Sequence, residues 1–250
     1  MSDLSTMTSR PRIEPASRTW SASRIGGGVV LCAWAALFWF LSVSDRDAFY
    51  LSTRTMWVVP VAATLLSAAT IGRLATARSR RPEPLGRREL GVMVAMVVPV
   101  LLIVALPPAT LGSFSASKRT AFSGGGIEAS AGEIASGELT LIDVAAGQTT
   151  PEGERALAAR AGETVSFVGF VARYDDTAAD EFLLTRYVVS CCVADAMVAQ
   201  VRIVNVTPGA FADGDWVEVA GTIYPLGREV IVDASAVSAV ARPPRPYLSA

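Results

Sequence analysis

The chain has 250 residues, half of them hydrophobic, with three cysteines, no histidine and a formal charge of −1. The lack of histidine excludes Ser-His-Asp and Cys-His catalysis, the HExxH zinc motif and every histidine-containing zinc finger. Charge is unevenly spread: residues 1–138 hold 14 Lys and Arg against 9 Asp and Glu, whereas residues 139–250 hold 8 against 14, so the two halves do different work.

Three apolar runs occupy the first half. Ile25 to Val43 carries no charge, Thr55 to Ala75 carries only Arg73 near its end, and Leu90 to Leu106 stops at Pro107 and Pro108. A hydrocarbon core of roughly 30 Å needs about 17 to 25 residues at 1.5 Å per residue, so the runs predict transmembrane helices at 25–43, 55–75 and 90–106. Pro60 and Pro99 fall inside two of them, which membrane helices tolerate. The first run reads as an uncleaved helix, because a long tail precedes it, no A-x-A site follows it and two more spans come next.

Arginine sets the expected orientation. The tail, residues 1–24, holds Arg10, Arg12, Arg18 and Arg24, and the second loop holds Arg73, Arg78, Arg80, Arg81, Arg87 and Arg88. The first loop has only Arg46 and Arg54, offset by Asp45 and Asp47. The positive-inside bias makes the tail and second loop cytoplasmic and puts everything after Leu106 outside, in a multi-pass protein of the cell membrane. Trp20, Trp39, Tyr50 and Trp57 fall where an aromatic belt is expected. Transport pathways carry intramembrane charges, and these spans have none beyond Arg73. The three-helix region, residues 25–112, therefore reads as an anchor or a partner-facing surface, with Gly26, Gly27 and Gly28 permitting close helix approach.

Residues 113–138 read as a Ser/Gly/Ala linker that buries no core. After it, "ELTLIDV" reads as a short strand, and a short helix is expected over Pro151 to Ala161, capped by Thr150 and stopped at Gly162. From Glu163 onward the period is two: "TVSFVGFVARY", "EFLLTRYVVSCCV", "AMVAQVRIVNV", "DWVEVAGTIYP" and "EVIVDASAVSAV" make five strands. Five strands with a longer third connection predict an all-β OB-like small barrel with a short helix over residues 139–245, following the membrane helices. An immunoglobulin-like sandwich would need about seven. A nucleic-acid groove is basic and interleaved with aromatics; this half is acidic, so nucleic acid is not the expected partner.

"RYVVSCCVADA", Arg186 to Ala196, is the densest chemistry in the chain. In a regular strand Cys191 and Cys192 point to opposite faces, so joint use of both requires a break there, which Ala194, Asp195 and Ala196 would supply. Three readings stay open: small buried hydrophobes, a thiol-redox pair, or a metal site of Cys191, Cys192 and Asp195. Two thiolates suit a soft ion, zinc or copper, with the remaining ligands from a partner chain. No cofactor is established by the sequence. Arg186 either lowers a nearby thiol pKa or pairs with Asp180 or Glu181. Cys32 lies in the first span, away from the pair. No GxSxG, GxGxxG or P-loop pattern occurs, and Asp175 and Asp176 read as a turn, so no enzyme is expected.

Three helices, a linker and a β-domain carrying "GFV", "RYVVSCCVADA", "GDWVEVAGTI" and a closing "PY" resemble a bacterial family of membrane permease subunits. The motif begins at Arg186, continues through aromatic Tyr187 and β-branched Val188 and Val189 to Ser190, Cys191 and Cys192, and closes with Ala194, Asp195 and Ala196. "YLSTRTMW", with Tyr50 and Trp57, is similar to the family segment that opens its second helix. The resemblance implies association with a larger multispan permease encoded nearby.

Overall fold

The computed structural model describes residues 19–79, 84–106, 110–118, 130–227 and 229–249. The tail arginines Arg10, Arg12 and Arg18, the loop arginines Arg80 and Arg81, the stop at Pro107 and Pro108, and the middle of the expected linker lie outside the described residues. The chain forms two compact units, one of Met1–Trp39 with Val61–Leu106 and one of Phe40–Pro60 with Pro107–Ala250.

The first unit is built on helices α1 (Ala22–Val43), α2 (Val58–Ala75) and α3 (Arg87–Ala105). All three are long and apolar enough to cross a membrane. Pro60 sits in the first turn of α2, where its missing N–H has no intrahelical acceptor to lose. Pro99 lies inside α3, and the Trp34 indole N–H donates at 3.1 Å to the Met96 carbonyl just before it. Added Cβ atoms at Gly26 and Gly28 would fall 2.7 Å from Met93 Sδ and 2.6 Å from Leu74 Cδ2, so these glycines do let helices approach closely. Ahead of α1, Thr19–Trp20 pairs antiparallel with Arg78–Ser79. Arg24 adds a hydrogen bond to the Thr76 carbonyl at 2.9 Å.

The second unit holds strands β1 (Thr164–Ala172), β2 (Phe182–Val189), β3 (Met197–Val204), β4 (Trp216–Leu226) and β5 (Glu229–Ala239), with a two-residue β6 (Leu248–Ser249) at the edge. β1 pairs antiparallel with both β2 and β4, β2 with β3, and β4 with β5; β3 runs parallel to β5. That circuit closes a five-stranded barrel with OB-like strand order, as the alternation predicts. Alternate residues fill its interior: Phe167 and Val171, then Phe182, Leu184 and Val188, then Val201 and Ile203, all 3 % exposed or less. Each such side chain contributes about 1.5–3 kcal/mol on leaving water. β4 bulges at Ala220 and Gly221, where a Cβ on Gly221 would lie 2.3 Å from the Asp233 carbonyl oxygen.

Four short helices precede the barrel: α4 (Ser113–Lys118), α5 (Ala131–Ser136), α6 (Leu141–Gly147) and α7 (Pro151–Ala158). Thr150 caps α7 by accepting the Gly153 N–H at 3.1 Å, with Pro151 in the first turn, as expected. The strand expected at "ELTLIDV" is instead α6. Thr140 accepts the Asp143 N–H while the Asp143 carboxylate accepts the Thr140 N–H at 2.9 Å, a reciprocal cap that starts a helix. Leu141, Val144 and Ala145 then share its buried face.

The stretch expected to bury nothing contributes to two cores. Ile134 of α5 is fully buried beside Leu141, Leu157 and the barrel interior. Ala116 of α4 belongs to a second cluster outside the barrel wall, with Phe170, Tyr187, Val189, Val198 and Tyr247. Hydrogen bonds fix that segment: the Tyr187 hydroxyl donates to the Gly112 carbonyl at 2.8 Å, the Leu111 N–H donates to the Tyr247 hydroxyl oxygen at 3.2 Å, and the Ser113 hydroxyl donates to Asp213.

Candidate functional site

β2 loses its partners at its C-terminal end, where Val188 pairs with Met197 and Val189 with Ser249. Ser190 then leaves the sheet, and Val193–Asp195 closes one 3-10 turn. The carboxylate of Asp195 organises the bend: Oδ1 accepts the Ser190 N–H at 3.0 Å, and Oδ2 accepts the N–H groups of Cys191 at 2.8 Å and Cys192 at 3.3 Å. Three donors that have no ladder partner are thereby satisfied by one side chain.

The bend cancels the alternation that would have separated the cysteines. Their sulfurs lie 3.7 Å apart, and a carboxylate oxygen of Asp195 completes a group whose atoms all fall within 4.8 Å of one another. Cys191 is exposed and Cys192 half-buried, and neither belongs to either hydrophobic cluster, so the pair is not core packing. Cys32 is exposed on α1.

A segment far away in sequence braces the same bend. Leu51 forms an antiparallel bridge with Cys192, and the Val193 N–H donates to the Tyr50 carbonyl at 2.8 Å. The Ser52 N–H donates to the Cys191 carbonyl at 3.2 Å, its hydroxyl donates to the Ser190 carbonyl at 2.8 Å, and the Thr53 N–H donates to Ser249 Oγ at 3.1 Å. The Thr55 hydroxyl also reaches the Cys191 carbonyl. Sequence reasoning quoted both segments without joining them. The available signal was the hydroxyl-rich "STRT", donors with no local strand to serve.

Electrostatics follow from these contacts. The hydrogen bond to the Asp195 carboxylate, aided by Cys192 and by burial, pushes the Cys191 thiol up to about 11, so it rests protonated. Partial burial would raise the Asp195 carboxyl. The Cys191 thiol and the N–H groups of Cys191, Ser190 and Cys192 outweigh that and leave it below the usual carboxylate value.

Arg186 does neither of the jobs expected of it. Its guanidinium donates to the Pro246 carbonyl at 3.2 Å and the Arg245 carbonyl at 2.8 Å, and lies 5.7 Å from the Trp216 ring centre. It therefore straps the C-terminal segment down, while Glu181 pairs with Arg202 at 2.9 Å. Asp175 and Asp176 occupy a turn.

The site can thus present two thiols and a carboxylate to solvent on a backbone held from both sides. No curated protein matches the chain in sequence. Residues 154–248 match the family described as the DUF1980 C-terminal domain, a stretch that runs from α7 to β6 and contains the whole Cys191–Asp195 bend.

Proposed function

We propose that the chain is an integral membrane accessory subunit that presents its OB-like domain outside the cytoplasm to a multispan membrane partner of permease type. The observation that carries this reading is the bracing of Ser190–Val193 by Tyr50–Thr55. Helices α2 and α3 lie between these segments in the chain, and two membrane crossings return it to the side it left. The pairing of Thr19–Trp20 with Arg78–Ser79 supports the same parity, since α1 and α2 lie between those. With the arginine-rich second loop inside, the barrel lies outside. The spans lack the buried charges of a transport pathway, so transport belongs to the partner and this chain serves it.

Co-purification from mild detergent with quantitative mass spectrometry tests the reading. A multispan protein recovered in comparable amount is the expected result, and recovery of the chain alone sinks it. For orientation, a membrane-impermeant maleimide should label Cys191 in intact spheroplasts; labelling only after lysis reverses the topology.

A further inference from the structure

We propose that Cys191, Cys192 and Asp195 form an exchangeable zinc(II) site with two thiolates, one carboxylate and an open fourth position. This deepens the reading above by naming the cargo class of the subunit, a thiophilic divalent cation, while the binding step itself needs no partner.

Spacing is the first argument. Two thiolates on one tetrahedral zinc, with Zn–S about 2.3 Å, stand about 3.8 Å apart. The sulfurs here stand at 3.7 Å before any ion arrives. Copper(I) held by two thiolates alone places them on opposite sides of the metal, further apart than this, and has little use for a carboxylate.

Preorganisation is the second. The backbone under both cysteines is fixed by the Asp195 clamp from one side and by Ser52 from the other, so binding orders little further chain. Asp195 has capacity for the task. A carboxylate offers about four lone-pair positions, and backbone N–H groups take three. A carboxylate oxygen of Asp195 lies within 4.8 Å of both cysteine sulfurs. On binding, two S–H protons pass to solvent, two Zn–S bonds and one Zn–O bond to Asp195 form, and the ion sheds the corresponding waters without any change of oxidation state.

Ligand count is the third. Among the described residues the group has three members, and no histidine exists anywhere to complete it. Closed four-ligand sites are structural, whereas three protein ligands leave a fourth position open to water or another exchangeable ligand. The exposure of Cys191 puts that position within reach of solvent or a second protein.

The test uses the full chain in detergent micelles with its thiols reduced. Equilibrium dialysis against zinc with elemental analysis should give one ion per chain. Cys191→Ser and Cys192→Ser should each weaken binding at least tenfold, and cobalt(II) should show thiolate charge transfer that halves in either variant. A second readout needs no variant: zinc should slow alkylation of Cys191 and Cys192 severalfold while leaving Cys32 unchanged. The proposal is overturned if the double serine variant retains as much zinc as the natural chain, if zinc leaves the alkylation rates unaltered, or if copper(I) binds and zinc does not. Because the chain is assayed alone, such a failure leaves recruitment of a multispan partner, read by co-purification, standing.

Discussion

The hydroxyl of Thr55 donates a 2.6 Å hydrogen bond to the carbonyl of Cys191, across 136 positions of sequence. Ser52 serves the neighbouring Ser190 carbonyl in the same way. Thr55→Val and Ser52→Ala should each cost about 1 kcal/mol. In the double variant, amide exchange at residues 190–193 should quicken while the barrel strands keep their protection. Unchanged exchange there would show that the brace carries no energy.

Asp195 holds three N–H groups, so replacing it should hurt by degree. Asn keeps one acceptor oxygen and Ala keeps none. Thermal unfolding should rank the natural chain above Asp195→Asn and that above Asp195→Ala, the last destabilised by roughly 1–3 kcal/mol. An Ala variant as stable as the natural chain would show that the clamp contributes no stability.

The raised Cys191 thiol gives a pH signature in the metal-free chain. A pKa of about 11 means that the thiolate is scarce at neutral pH and grows as pH climbs towards that value. Alkylation of Cys191 should therefore still be accelerating between pH 9 and 10, where an ordinary thiol, with pKa about 8.5, is levelling off. Asp195→Asn should move the profile to lower pH.

The carboxylate of Glu163, immediately before β1, gives an acid signature. Arg160 hydrogen-bonds to Glu163 and holds its carboxyl below the usual 4.5, and its Nη1 also donates at 2.7 Å to the carbonyls of Ile134 and Gly137. A depressed carboxyl contributes its stability above the unfolded value and loses it as pH falls through the folded one. Melting temperature should drop as pH is lowered below 4.5, and Glu163→Gln should flatten that part of the curve.

Gly221 tests the barrel itself. A methyl there meets the Asp233 carbonyl oxygen at 2.3 Å, a backbone atom that cannot step aside. Gly221→Ala should cost about 1–3 kcal/mol or more, read by thermal unfolding. Alanine at Gly162, where φ is +86° in open space, strains only the backbone and should cost less than at Gly221.

Sequence reasoning reached the helices and strands because their periods are long and consistent: nineteen residues without charge from Ile25, and alternation from Thr164 to Ala172. It failed at "ELTLIDV", where four residues of alternation look like a strand and the Thr140–Asp143 cap decides for a helix. It also passed over Ala116 and Ile134, because small-residue composition conceals single residues whose burial depends on distant partners. At the site, the three side chains were legible and their convergence was not. Alternation describes a strand only while its ladder continues, and the ladder of β2 stops at Val189. The role of Arg186 was misread because its acceptors are main-chain carbonyls of Arg245 and Pro246, which leave no mark in composition.

The bridge between Leu51 and Cys192 has a consequence for assembly. Contacts this distant in sequence form late, since the long intervening loop must close before they return anything. During synthesis the Tyr50–Thr55 segment is made first and waits through helices α2–α7 and strands β1 and β2 for its counterpart. A barrel excised at residue 139 therefore lacks a piece of itself: the Ser190 and Cys191 carbonyls lose their donors, and the thiol bend is left half-built. The thiols reach their final form only in a chain that also carries the Tyr50–Thr55 segment.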